Sequence, residues 1–141
     1  MPELVSITIT DEESLFKACD ILHDASFKYE DVDDTSGTEL RMILKREYFE
    51  DQTLNVKEKS SLFQRESYPL ARTELVLTNL RSLKRKGSGT YPGQFIKVER
   101  HKGKYYLDAV PAGWIIEFDG VIKGHLEDQE ILLDAIQTHS G

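Results

Sequence analysis

Phe95-Ile96-Lys97-Val98-Glu99-Arg100, His101-Lys102-Gly103-Lys104, Tyr105-Tyr106-Leu107-Asp108-Ala109, Val110-Pro111-Ala112-Gly113, Trp114-Ile115-Ile116-Glu117-Phe118 and, past Asp119-Gly120, Val121-Ile122-Lys123-Gly124-His125-Leu126: the stretch from Gln94 to Leu126 reads as a β-meander. Asp-Gly between two apolar runs is a strong hairpin signal, because both central residues of a type I′ turn need positive φ. Trp114, Ile116 and Phe118 alternate and so share one face of their strand. That face is the best core candidate in the chain.

Working outward, 141 residues fit one domain with a core of its own, so residues 1–141 are read as a single domain. The apolar share of 39% and the charged share of 30% are those of an ordinary folded protein. No apolar run reaches the ~20 residues of a membrane-spanning helix, and Met1-Pro2-Glu3-Leu4 does not resemble a signal peptide. The expectation is a cytoplasmic protein without a membrane partner. A net charge of -7 argues against general binding to a nucleic-acid backbone and suits an encounter with a basic protein partner.

Val5, Ile7 and Ile9 alternate with polar residues, predicting a first strand. Thr10 as N-cap with Glu13 three residues on predicts a helix over residues 11–24, with Leu15, Ala18, Cys19, Leu22 and Ala25 on its apolar face. The single cysteine, Cys19, falls on that face and reads as a buried small hydrophobe. Residues 27–46 predict a hairpin around Asp33-Asp34-Thr35-Ser36-Gly37. Counted from Asp31, the same acids fail a calcium loop, with Ser36 at the glycine position and Met42 at the glutamate position. Residues 47–69 read as a partly ordered insertion, in which Leu54 and Val56 suit a short strand and Ser60 to Gln64 an irregular segment or helical turn. Leu75 to Leu83 reads as a strand buried on both faces and bent near Asn79. Leu126 to Ile136, with its leading acids, predicts a short closing helix, and Gln137 to Gly141 a frayed end.

The fold class expected from these elements is α+β: a twisted antiparallel β-sheet or half-barrel covered by the N-terminal helix, with a short C-terminal helix. Trp114, Ile116, Phe118, Leu107, Val98, Leu77, Leu15 and Leu22 are the expected core.

Chemistry is sparse. The four histidines show no ligand spacing, no Gly-x-Ser-x-Gly elbow is present, and nothing points to a cofactor or a metal. His23 and Asp24 close the predicted helix; neighbours on a helix do not face each other, so a ligand site there needs a distant group such as His125. Arg81, Lys84, Arg85 and Lys86 precede the Gly87-Ser88-Gly89-Thr90-Tyr91-Pro92-Gly93 loop and form a candidate basic patch. That loop matches neither glycine-rich phosphate motif and opens towards a strand, so the residues are read as a solvated charge run. Tyr91 would be the stacking residue if the patch met nucleic acid.

Leu22-His23-Asp24-Ala25-Ser26-Phe27 leading into an acidic hairpin, Leu75-Val76-Leu77-Thr78-Asn79-Leu80-Arg81-Ser82-Leu83 in mid-chain and the terminal meander look like small bacterial proteins of unassigned function. Some of those are similar to immunity-type proteins, which neutralise toxins by binding them. The resemblance implies a β-rich sheet with a packed helix, and it carries no catalytic residue. The functional expectation is a non-catalytic protein-binding domain, immunity-like or a complex subunit. The alternative is a small-ligand-binding protein or enzyme with its site near His23 and Asp24.

Overall fold

The computed structural model describes residues 4–48, 56–59, 64–87, 89, 91–110 and 113–140. Its elements run β1 (Ser6–Ile9), α1 (Glu12–Leu22), β2 (Ser26–Phe27), a 3-10 turn (Tyr29–Asp31), β3 (Val32–Asp33), β4 (Leu40–Glu47), β5 (Val56–Lys59), β6 (Gln64–Lys86), β7 (Gly93–His101), β8 (Lys104–Val110) and β9 (Ile115–Ser140).

The helix begins one residue later than Thr10 would have it. Asp11 Oδ1 accepts from the Ser14 N–H at 2.8 Å, while Ser14 Oγ accepts from the Asp11 N–H at 3.1 Å, so the capping box is Asp11 with Ser14. Leu15, Ala18, Cys19 and Leu22 are its buried stripe, and each leucine contributes about 1.5–3 kcal/mol by leaving water. The stripe packs on β1, β7, β4 and β9.

β6 and β9 are the spine. They pair antiparallel from Arg65↔Ser140 to Lys86↔Ile115. β4 covers the outer edge of β6 with Leu40↔Leu77 to Glu47↔Leu70, and β1 and β8 share the far edge of β9 at residues 124–127 and 116–118. β8 pairs with β7, β7 with β2, and β2 returns to β4 through Ser26↔Lys45, so the pairings close on themselves. All eight expected core residues are buried, joined by Phe95, Leu75, Leu40, Met42 and Leu44.

The expectations for the C-terminal segment are overturned. The fold is not α+β with a short C-terminal helix: the described residues are mostly antiparallel sheet with one N-terminal α-helix, and the segment expected to close as a helix continues β9 against β6. Leu126 and Asp128 are buried while Glu127 and Gln129 are exposed, a strand period hidden by a carboxylate at an inward position. β9 likewise runs on to Ser140 where fraying was expected.

Asp119-Gly120 is also not a hairpin turn. β9 passes straight through it, and the register shifts on β6 between Thr78 and Ser82. Asn79 has φ 61°, confirming the bend near that residue. A Cβ on Gly120 would lie 2.8 Å from the Asn79 carbonyl oxygen, and one on Gly124 would lie 1.8 Å from that of Val76. Glycine here permits close crossing of two backbones, the other use of the residue that signals turns.

The expected 27–46 hairpin is smaller than predicted. β3 pairs back on β4 at Val32↔Met42 and Asp33↔Arg41, while β2 meets β4 at Ser26↔Lys45 alone and lies against β7 on its other side. In the insertion, Val56 opens β5, which pairs with β6, and Gln64 opens β6. Leu54 and residues 60–63 lie outside the described residues, as does Gly141.

Candidate functional site

Arg85 organises the end of the sheet. On β6 it sits opposite Ile116, and its side chain, 15% exposed, turns towards the 3-10 turn and β3. Its guanidinium carbon stands 4.4 Å from the Tyr29 ring centre and 4.9 Å from that of Trp114. Nε donates to Asp34 Oδ2 at 3.0 Å and Nη2 to the Val32 carbonyl at 3.2 Å. Trp114 in turn meets Phe27 and Tyr29 edge-on, at 5.6 and 5.7 Å, and its indole N–H donates to the Tyr91 carbonyl at 3.4 Å. A planar cation held between two rings and a carboxylate is a rigid, largely desolvated arrangement.

Beside it lies an open hollow of about 540 Å³, lined by Tyr29, Glu30, Val32, Asp34, Thr35, Arg85, Gly87 and Gly89. That volume is within the range of about 300–1,000 Å³ of pockets that hold ligands. Tyr29 is 37% exposed, and Glu30 forms no ion pair among the described residues.

The candidate basic patch is split by the strand. Arg85 faces the aromatic cluster, whereas Lys86 and Lys104 both pair with Glu117, a carboxylate only 5% exposed, the latter at 3.0 Å. Hydrogen bonds from Lys86 and then Lys104 hold the Glu117 carboxyl below the usual carboxylate range. Arg81 pairs with Asp119 at 2.6 Å and lowers its pKa in the same way. Lys84 is exposed, opposite Glu117 in the register.

The helix stops at Leu22, short of the expected 24: His23 is its C-cap and Asp24 follows at φ 67°, donating its N–H to the Phe95 carbonyl at 2.8 Å, with the two exposed side chains 3.7 Å apart. His125 is on β9 and has Glu74 as its partner at 3.4 Å, with Glu74 also held by Arg41 at 3.1 Å. None of the three hollows described, at Asp33 to Arg41, beside Phe27 and beside Tyr29, is lined by His23, Asp24 or His125. Cys19 is buried, and burial followed by the nearby Asp20 charge pushes its thiol up to about 12. Among the described residues, no group of three His, Cys, Asp or Glu side chains could hold a metal ion, and no helix is long and apolar enough to cross a membrane.

A second polar cluster gave no signal in the sequence. Arg46 and Asp128 are each 2% exposed and Thr73 is fully buried. Arg46 Nε and Nη2 donate to the two Asp128 oxygens at 2.9 and 2.5 Å, Thr73 Oγ1 donates at 2.6 Å, and the Val5 N–H donates at 2.9 Å. Burial by itself would raise the Asp128 pKa; the bonds from Arg46, Thr73 and Val5 outweigh it and leave the carboxyl below its ordinary value. This cluster joins β4, β6, β9 and the chain entering β1.

No family model matches the chain, and neither curated proteins nor solved structures give a match.

Proposed function

We propose that this chain is a non-catalytic binding protein that meets a basic protein partner. The observation that carries the reading is where the charge resides. Arg46 with Asp128, Glu117 with Lys86 and Lys104, and Glu74 with Arg41 and His125 are spent tying strands together. Glu30 and Asp34, in a chain of net charge -7, instead line a hollow walled by the exposed Tyr29 and by Arg85, both of which pack on the buried Trp114. Tyrosine, tryptophan and arginine are the residues that most often anchor protein interfaces, and a surrounding charge of one sign steers the opposite partner in. An immunity-like role or a place as a complex subunit is the finer form of this reading.

The alternative, ligand binding or catalysis near His23 and Asp24, draws on their 3.7 Å contact alone. Affinity capture followed by reconstitution from separately purified components tests the main reading. A 1:1 complex whose affinity falls as salt rises is expected; a captured protein that forms no stoichiometric complex on reconstitution overturns it.

A further inference from the structure

Building on the binding-protein reading, we propose that the hollow beside Tyr29 receives an arginine side chain of the partner protein. Its lining sets two carboxylates, Glu30 and Asp34, against one guanidinium, Arg85, so a single added cation balances it. Asp34 already engages Arg85, whereas Glu30 has no ion-pair partner among the described residues. An anion entering to reach Arg85 would meet both carboxylates, which disfavours that occupant.

The hollow offers what a guanidinium uses. Glu30 supplies an acceptor for its in-plane N–H groups, Tyr29 an aromatic wall, and Gly87 and Gly89 bring backbone to the rim. Arg85 shows the same chemistry realised within the chain, lying over the Tyr29 ring and bonded to a carboxylate. An incoming arginine would extend that stack outward and leave its charge on Glu30.

The sole tryptophan, Trp114, touches Tyr29 and Arg85, so its emission reports occupancy. The test titrates the intact chain at low salt with acetyl-Gly-Gly-Arg-Gly-Gly-amide and with the same peptide carrying citrulline, which keeps the shape and loses the charge. Saturable change with the arginine peptide alone, weakened about fivefold by Glu30→Gln and unaltered by Glu127→Gln on the exposed face of β9, is expected. Equal response to both peptides, no saturable response, or an unaltered response in Glu30→Gln overturns the proposal. A reconstituted partner that binds wild type and Glu30→Gln equally also overturns this site, while leaving the binding role intact.

Discussion

Arg46 on β4 reaches over β6 to place two hydrogen bonds on Asp128 of β9, with Thr73 of the intervening strand donating a third. Such a pair is held by mutual satisfaction: removing one partner leaves a buried charge, whereas removing both leaves no charge and returns the Thr73 hydroxyl to the Ala71 carbonyl. Arg46→Met and Asp128→Leu are each expected to destabilise the fold by about 3–5 kcal/mol, and the double variant by less than the sum. Urea denaturation of the four proteins checks this. Additive losses would show that the two residues act independently.

The same carboxylate sets an acid limit. Its folded-state pKa lies below the ordinary 3.8, so its contribution to stability is complete above that value and is lost as pH falls through the lower, folded-state value. The advantage of wild type over Asp128→Asn should therefore be constant from neutral pH to about pH 4 and shrink below it. Denaturation profiles of the two proteins against pH measure this, and an advantage that begins to fall near pH 6 would contradict the assignment.

Asp128 also explains why the C-terminal element is misread from sequence. Local pattern reveals α1, the meander strands, the bend at Asn79 and the eight core side chains, because each rests on apolar spacing within a few residues. The acids at 127–130 resemble the first turn of a helix until the pairing with Thr73 shows that one of them points inward. Asp119-Gly120 misleads for a related reason: the glycine answers to a strand about 40 residues away, at Asn79 to Arg81, and not to its neighbours. In the candidate site, Arg85 looks like one member of a charge run, and only the strand phase of β6 separates it from Lys84 and Lys86. Tyr29, Glu30 and Asp34 join it through a non-local contact that no spacing encodes.

Cys19 lies on the buried stripe of α1 with its thiol pushed up to about 12. It is expected to be unreactive towards a thiol reagent at pH 8 in the native protein and to react fully once denaturant is added. Stoichiometric labelling of the native protein within minutes would contradict this placement.

Trp114 is 3% exposed between Phe27, Tyr29 and Arg85. Trp114→Ala should cost about 3–5 kcal/mol, and it removes one of the two rings that hold Arg85. A variant with unchanged thermal stability would refute the packing of this end of the sheet.

The binding reading is tested most directly by amide hydrogen exchange on the chain alone and in complex with its reconstituted partner. Slowed exchange is expected in residues 29–35 and at Gly87 and Gly89, the two sides of the hollow. Slowed exchange confined to other surfaces, with these residues unaffected in a saturated complex, would contradict it.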